Sequence, residues 1–183
     1  MTTNTILLVE DDENDAFFLE RAMHKIGMAN PVQNARDGQE AIDYLKGTGK
    51  FGRRAEFPLP GLILLDLKLP LVMGLDVLKW IRQNPELSPI VVILSSSADE
   101  SDIASAYRLG ANAYLVKPSE VSKLEGMVRS INDFWLLQNT PPPNRKPQSA
   151  SFSRRNQRDY ASPEYDLSRA TGSRTATFCQ TDL

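Results

Sequence analysis

Carboxylate, hydroxyl and ammonium side chains follow four short apolar runs of the sequence, each at the point where a run ends. These residues are Glu10, Asp11, Asp66, Ser95 and Lys117. Crowded carboxylates repel one another and favour the protonated form unless a cation lies among them. Oxygen ligands without histidine or cysteine suit Mg²⁺, which binds carboxylates, water and phosphate oxygens. If folding brings these side chains together, the sequence predicts a magnesium site.

The same side chains are suited to phosphoryl transfer. Asp66 ends its run and can act as a carboxylate nucleophile toward phosphorus. Lys117 offers a point positive charge for a phosphoryl oxygen, and the hydroxyl of Ser95 can donate a hydrogen bond to another. Each residue alone is common in loops and turns. Their occurrence at successive run ends indicates a phosphoryl-transfer site.

The apolar runs are typical of strands that are buried on both faces of a parallel sheet. They occupy residues 6–9, 62–65, 90–94 and 113–116, and residues 31–36 are a weaker fifth candidate. Helical patterns follow each of them, which gives five βα units in succession. Right-handed crossovers then place helices on both sides of one sheet. The predicted fold class is therefore α/β and doubly wound.

Ligands of open α/β sheets bind beyond the carboxyl ends of the strands. The parallel strands of one sheet all end at the same edge. We therefore expect the candidate site residues to converge on one rim of the domain.

The first and last helices carry the most specific local predictions. Asn14 or Asp15 is expected to cap the first helix, and residues 118–119 are expected to open the last. The residues predicted to face the core are Phe18, Ala22, Met23 and Ile26 in the first helix, and Val121, Leu124, Met127, Val128, Ile131, Trp135 and Leu136 in the last. The apolar residues at 134–137 fit a homodimer face as well as they fit packing against the core.

The composition changes after residue 140. Residues 141–183 begin with three prolines and carry a net charge of +3, whereas residues 1–140 carry −5. Their apolar residues are too scattered for a helical or strand face. The sequence predicts a folded domain over 1–140 and a disordered Pro/Ser/Arg-rich tail over 141–183. No helix-turn-helix pattern surrounds Arg154, Arg155 and Arg158, so no nucleic-acid-binding domain is predicted.

Single copies of cysteine and histidine restrict the remaining classes of site. Cys179 alone excludes an internal disulfide and a cysteine-based zinc site, and His24 alone excludes a histidine-rich one. No stretch reaches the ~18 apolar residues of a membrane helix. The first residues lack the basic and apolar regions of a secretion signal. We expect a cytoplasmic protein that does not enter a membrane.

Several segments are similar to the CheY-like receiver domain of two-component response regulators. They are ILLVEDD at 6–12, LLDLKLP at 64–70, Gly74, VILSSS at 92–97 and GANAYLVKP at 110–118. The resemblance covers residues 5–138 and implies a flavodoxin-like (βα)5 fold with a five-stranded parallel sheet in the order 2-1-3-4-5. The connection at 47–60 and the missing output domain resemble the stand-alone regulators associated with cyanobacterial phytochromes.

The resemblance implies a role for each residue of the acidic site. Asp66 matches the phosphoacceptor, which becomes an aspartyl phosphate, and Lys117 matches the lysine of the family pattern. Glu10 and Asp11 match the acidic pair that holds Mg²⁺ together with Asp66, with Asp11 as the direct ligand. Lys68 matches the position that lends its backbone carbonyl to the metal.

The resemblance also implies a switch. Ser95 matches the switch hydroxyl, Tyr114 matches the switch aromatic, and Asp12 is implied as a helix-entry residue. Such proteins accept a phosphoryl group from a sensor histidine kinase, here of the phytochrome type, or from a phosphotransfer protein. They are not metabolic enzymes and catalyse only their own phosphorylation and dephosphorylation. The implied output is a conformational change that alters the binding of a downstream protein target.

Two positions depart from the family pattern. Ser95 stands where many receivers carry threonine, and Lys68 stands where many carry Asn or Met. Side chains at positions 68 and 97 flank the path of hydrolytic water, so Lys68 bears on the lifetime of the phosphoryl group. A phosphatase of the haloacid-dehalogenase type is one alternative, but it would need an acid/base Asp at position 68. A pseudo-receiver is another, and it would lack Asp66, Lys117 or the acidic pair.

Overall fold

The computed structural model describes residues 4–140, and these form a parallel sheet with helices on both faces. The strands are β1 (Ile6–Val9), β2 (Val32–Ala35), β3 (Leu62–Leu65), β4 (Ile90–Ser95) and β5 (Ala113–Val116). Their order is β2-β1-β3-β4-β5, and every neighbouring pair is parallel. The predicted fold class, the strand order and the weak candidate at 31–36 are confirmed.

Five α-helices alternate with the strands. They are α1 (Glu13–Lys25), α2 (Gly38–Lys46), α3 (Gly74–Gln83), α4 (Glu100–Arg108) and α5 (Val121–Ile131). A π-helical segment, Asn132–Gln138, continues α5, and a 3-10 turn, Gly49–Phe51, lies between α2 and β3. Within residues 4–140, no helix is long and apolar enough to cross a membrane.

Two apolar cores lie on opposite faces of the sheet, because successive residues of a strand point to opposite faces. Leu7 and Val9 of β1 face the core that is built with α2, α3 and α4. Ile6 and Leu8 face the core that is built with α1 and α5. All four side chains are almost completely buried. This double burial explains why the central strands appear as uninterrupted apolar runs.

Strand β5 departs from the expectation of burial on both faces. In the described sheet only β4 flanks it, so β5 is an edge strand. Ala113, Tyr114 and Leu115 are half-buried, and Val116 is exposed. The prediction was wrong for this strand because a short apolar run has the same appearance at the centre and at the edge of a sheet.

The cap of α1 is Asp12, so the prediction of Asn14 or Asp15 as the cap was wrong. The implied helix-entry position of Asp12 is confirmed. Its carboxylate accepts hydrogen bonds from the backbone N–H groups of Asn14 at 2.8 Å and Asp15 at 3.1 Å. These groups have no partner inside the helix, and their bonds lower the pKa of the Asp12 carboxyl. The carboxylate of Asp15, inside the first turn, is left for other contacts.

The core face of α1 agrees in part with the prediction. Ala22 and Met23 are buried as predicted, and Phe18 and Ile26 are half-buried against the same core. Leu19, which was not predicted, is almost completely buried. The apolar residues of α1 cover a wider arc of the helix than the predicted positions. Packing against α5 decides which of them are fully buried.

Helix α5 begins at Val121 rather than at 118–119, and Val121 is exposed instead of facing the core. The other predicted core residues of α5 and the segment after it pack against the sheet, some of them only half-buried. Trp135 and Leu136 belong to this group, whereas Phe134 and Leu137 are 52% and 72% exposed. A homodimer face at this end of the domain stays a prediction.

The connection between α2 and β3 is packed onto the domain. The guanidinium of Arg54 donates to the backbone carbonyls of Tyr44 at 2.8 Å and Leu45 at 2.6 Å, which satisfies the last turn of α2. The hydroxyl of Tyr44 donates to the carbonyl of Pro58 at 2.8 Å. Burial raises the pKa of Tyr44 to about 12, so the phenol keeps its proton for this bond. The ring of Phe57 packs edge to face against the rings of Tyr44 and Phe51, which are tilted relative to each other.

Gly74 holds the start of α3 against the loop that follows β3. A Cβ atom on Gly74 would lie 2.0 Å from the backbone oxygen of Asp66. We expect Gly74→Ala to lower the free energy of unfolding by about 3 kcal/mol, because backbone must move to relieve the overlap. Urea unfolding measures the change. Gly126→Ala is the matched control, since no atom other than nearby backbone of α5 itself lies within 4 Å of its Cβ position, and it should be neutral or stabilising. Equal stability of the two variants would contradict the expectation.

The predictions for residues 141–183 lie outside the described residues. They concern the disordered tail and its boundary, Arg154, Arg155 and Arg158, and Cys179.

Candidate functional site

The carboxyl ends of β1, β3 and β5 bring Glu10, Asp66 and Lys117 together. Strands β1 and β3 are neighbours with Val9 opposite Leu65, so the residues that follow them are adjacent. The side chain of Lys117 reaches both from β5. Its Nζ atom lies 2.6 Å from Oε2 of Glu10 and 2.8 Å from Oδ2 of Asp66. Three residues predicted from separate strand ends therefore form one ion-pair cluster.

Asp15 is a fourth member of this cluster, which the sequence analysis treated only as a helix cap. Its Oδ2 atom lies 2.9 Å from Nζ of Lys117. The sequence shows only an acidic residue in the first turn of a helix. Such residues are common there because their negative charge interacts favourably with the helix dipole. We call Lys117, Glu10, Asp15 and Asp66 the lysine cluster.

Most of the lysine cluster is removed from water. Glu10 and Asp66 are only 5% and 7% exposed. Burial raises the pKa of the Glu10 carboxyl to about 7, although the ammonium of Lys117 acts in the opposite direction. Burial by itself would lower the pKa of Lys117, but hydrogen bonds to Asp66, Glu10 and Asp15 outweigh it and raise that pKa. Lys117 is therefore charged at all physiological pH values.

The loop after β3 fixes the other oxygen of Asp66. Its Oδ1 atom accepts hydrogen bonds from the backbone N–H of Leu67 and, at 3.2 Å, from that of Lys68. One oxygen thus faces the loop and the other faces Lys117, which sets the plane of the carboxylate. The role of the Lys68 carbonyl in metal binding stays a prediction.

Glu10, Asp11 and Asp66 could hold a metal ion. One carboxylate oxygen from each lies within 4.8 Å of the others. Glu10 and Asp66 are buried whereas Asp11 is exposed, so the cluster opens to solvent on one side. An oxygen-only set with room for water is the environment that a hard divalent cation such as Mg²⁺ prefers. The donor set fits the predicted ion, and the three predicted ligands are adjacent.

A hydrogen-bond chain joins the end of β4 to α4 and β5. Ser95 is completely buried, and its Oγ accepts a hydrogen bond from the backbone N–H of Ser97 at 3.3 Å. The hydroxyl of Ser97 donates to Oδ2 of Asp102 in α4 at 2.7 Å. The hydroxyl of Tyr114 donates to the carbonyl of Ser97 at 2.9 Å. Ser95 and Tyr114 were predicted from the sequence, whereas Asp102 was not, because an acid in the first turn of a helix carries no specific signal.

The sequence model of one protein family, the response regulator receiver domain, matches residues 6–129. The chain belongs to this family. Receiver-domain response regulators are signalling proteins, which disfavours the phosphatase alternative. The pseudo-receiver alternative is not supported either, since Asp66, Lys117 and the acidic pair are all present and adjacent.

Two proteins to which this chain is similar are response regulators, and one of them is described as a phytochrome response regulator. Response regulator Rcp1 of Synechocystis is 38% identical over 138 residues, which cover 75% of this chain and 92% of Rcp1. The crystal structure of the phosphorylated cyanobacterial phytochrome response regulator RcpA is 37% identical, with a TM-score of 0.72 over 77% of this chain and 99% of RcpA. The implied resemblance to phytochrome-associated regulators is confirmed.

A metal-bound relative bears on the acidic site. The crystal structure of the Mn²⁺-bound form of Rcp1 is 37% identical, with a TM-score of 0.69 over 76% of this chain and 99% of that one. Rcp1 thus binds a divalent metal, and Glu10, Asp11 and Asp66 of this chain form a cluster of oxygen donors. Residues 4–140 contain the receiver fold and no nucleic-acid-binding domain.

The raised pKa of Glu10 predicts a pH dependence of stability in EDTA. Because this pKa is about 7 in the folded protein against an ordinary 4.5, the folded state retains a proton that the unfolded state loses. The stabilisation is complete below about pH 4.5 and is lost as the pH rises through 7. We expect the free energy of unfolding to fall by about 2 kcal/mol between pH 5 and pH 8 from this group.

Glu10→Gln isolates this contribution, because the amide keeps the shape and does not titrate. Both proteins are unfolded in urea at pH 5 and pH 8. The contributions of the remaining titratable groups then cancel in the difference between the two proteins. The variant should lose less stability than wild type over this interval. An identical loss in both would show that Glu10 titrates in its ordinary range.

Proposed function

We propose that this receiver accepts a phosphoryl group on Asp66 and acts as a phosphorylation-dependent switch in a two-component phosphorelay. The donor is a sensor histidine kinase or a phosphotransfer protein. The observation that carries the proposal is the lysine cluster, in which the buried carboxylate of Asp66 lies 2.8 Å from an ammonium that also pairs with Glu10 and Asp15.

The chemistry is a displacement at phosphorus. An oxygen of the Asp66 carboxylate attacks the phosphorus of a phosphohistidine, the bond from phosphorus to the ring nitrogen breaks, and the imidazole leaves with its electron pair. Mg²⁺ held by Glu10, Asp11 and Asp66 would neutralise charge on the phosphoryl oxygens. Lys117 is placed to donate to one of these oxygens, since its Nζ already contacts Asp66. The backbone N–H groups of residues 67 and 68 hold the carboxylate in place.

The proposed donor is a kinase of the phytochrome type. The support is the similarity to Rcp1 and to the phytochrome response regulator RcpA, which extends over more than nine-tenths of each relative. A phytochrome-type kinase carrying labelled phosphohistidine should lose its label to this protein faster than to a receiver from an unrelated system.

The proposed switch runs through the hydrogen-bond chain after β4. A phosphoryl group on Asp66 attracts the hydroxyl of Ser95, which then leaves the N–H of Ser97. Tyr114 already bonds the carbonyl of Ser97, so any shift of that residue is passed to β5. Exposed Tyr107 and Val116 lie on α4 and β5, where a downstream protein would detect the change. Phosphorylation shifts the equilibrium only by its differential stabilisation of one form.

Intact-mass measurement after incubation with acetyl phosphate tests the function. The protein should gain the mass of one phosphoryl group in Mg²⁺ and none in EDTA. Equal labelling in EDTA would contradict the metal site, and no labelling in either condition would contradict the function.

Ser95→Ala tests the switch. The variant should still be phosphorylated on Asp66, because the nucleophile, the proposed metal ligands and Lys117 are all unchanged. It should lose most of the change in amide exchange around Tyr114 that acetyl phosphate causes in wild type. Ser130→Ala, which removes an exposed hydroxyl of α5, is the control. A full response in phosphorylated Ser95→Ala would show that the hydroxyl does not transmit the signal.

A further inference from the structure

Lys117 has three N–H bonds, and each of them is directed to a different carboxylate. The acceptors are Glu10 at 2.6 Å, Asp66 at 2.8 Å and Asp15 at 2.9 Å. The proposed function gives roles to Glu10 and Asp66. It leaves Asp15 without one, although Asp15 occupies a full third of the hydrogen-bonding capacity of the lysine.

Asp15 is the solvent-facing member of the lysine cluster. Its side chain is 47% exposed, whereas that of Lys117 is 11% exposed and those of the other two carboxylates are less exposed still. Asp15 and Asp66 bind the same Nζ atom, so their oxygens cannot be further apart than the sum of two hydrogen-bond lengths. A donor phosphoryl group that approaches Asp66 from solution therefore meets the negative charge of Asp15.

We propose that Asp15 is a positioning residue that restrains Lys117 and slows the phosphorylation of Asp66 by anionic donors. This inference rests on the proposed function. Asp15 keeps one N–H of Lys117 away from the incoming phosphoryl oxygens, and its charge repels the donor. Both effects oppose the encounter of a negatively charged donor with the site.

Asp15 is expected to have little effect on hydrolysis of the aspartyl phosphate. Hydrolysis starts with the phosphoryl group already attached, so Asp15 acts on the starting state and on the transition state alike. Only interactions that differ between these states change a rate. Asp15 therefore changes phosphorylation and hydrolysis unequally, whereas a merely misplaced Lys117 would slow both.

The test compares Asp15→Asn with Glu13→Gln. Glu13 is an exposed acid of the same helical turn that pairs with Arg36 at 3.2 Å, and its removal takes away one negative charge without touching the lysine cluster. Phosphorylation is followed by intact mass at varied acetyl phosphate concentration in Mg²⁺, and hydrolysis is followed after removal of the donor. Phosphoramidate, whose protonated nitrogen reduces its net negative charge, serves as a second donor.

We expect Asp15→Asn to raise the second-order rate constant with acetyl phosphate by about three- to ten-fold, the effect of one unit charge through largely aqueous surroundings. The gain should be smaller with phosphoramidate, and hydrolysis should change by less than about two-fold. Glu13→Gln should be phosphorylated at the wild-type rate. Asp15→Glu, which keeps the negative charge, should also be phosphorylated at that rate. The fold of each variant is checked by urea unfolding in EDTA.

Slower or unchanged phosphorylation of folded Asp15→Asn would overturn the inference, as would an equal gain in Glu13→Gln or a parallel change in hydrolysis. Failure of wild type to accept a phosphoryl group would instead overturn the proposed function. The two failures are therefore distinguishable.

Discussion

Asp66→Asn should abolish phosphorylation by acetyl phosphate or by a histidine kinase, so that no added mass is detected while wild type is fully labelled. The amide fills the same space, but it is neutral and does not attack phosphorus under these conditions. In wild type, the added group should be stable in acid and labile in base, as expected of an acyl phosphate. Asp133→Asn, which changes an exposed acid beyond α5, should be labelled as wild type is.

The stability of Asp66→Asn shows whether a loss of labelling comes from the missing nucleophile or from a damaged fold. Asp66 shares the ammonium of Lys117 with two other carboxylates and lies beside Asp11. Negative charge is therefore in excess, and removing the charge of Asp66 relieves repulsion in the metal-free protein. Asp66→Asn should therefore be at least as stable as wild type to urea in EDTA. Unchanged labelling of this folded variant would show that another residue is the phosphoacceptor.

Lys117→Met should lower both the stability of the metal-free protein and the rate of phosphorylation. The change removes the one ammonium that three carboxylates share. Leaving buried carboxylates without their partner is expected to lower the free energy of unfolding by about 2–4 kcal/mol, with protonation of Glu10 limiting the loss. Loss of the charge aimed at the phosphoryl oxygens should slow phosphorylation by about 100-fold or more.

Urea unfolding in EDTA and in Mg²⁺ measures the first effect, and intact mass measures the second. Mg²⁺ should stabilise Lys117→Met more than it stabilises wild type, because the metal replaces the missing positive charge. Lys123→Met is the control, since Lys123 is exposed and pairs only with its neighbour Glu120 among the described ion pairs.

A second variant keeps this test decisive if Lys117→Met does not fold in EDTA. Adding Glu10→Gln removes one of the repelling carboxylates and should recover stability while phosphorylation stays slow. A Lys117→Met protein as stable and as quickly phosphorylated as wild type would show that the ammonium is not needed for either property.

The sequence by itself determined the fold class and the position of the site. The central strands are buried on both faces, so their apolar runs were visible without knowledge of the partners. The polar residues at the ends of these runs then located the site at one edge of the sheet, because parallel strands end at the same edge. Glu10, Asp66 and Lys117 were found in this way although Lys117 is 107 residues from Glu10 in the chain.

Local patterns were weaker where several residues could satisfy the same requirement. Asp12, Asn14 and Asp15 are all good helix caps, and the sequence did not favour the first of them. The residue that caps α1 also decides which acid lies inside the first turn. The choice of Asp12 places Asp15 beside Lys117.

Only the tertiary structure decided which partners each polar group has. The contact of Asp15 with Lys117 and the chain from Ser95 through Ser97 to Tyr114 join residues on different elements, and their distances depend on how α1 and α4 pack on the sheet. The edge position of β5 likewise depends on the order of strands rather than on its own residues. Apolar runs and turn residues reflect local backbone preference and burial, which a sequence records directly. A hydrogen bond between distant residues needs an accuracy of a few tenths of an ångström, and only the packed helices and strands supply it.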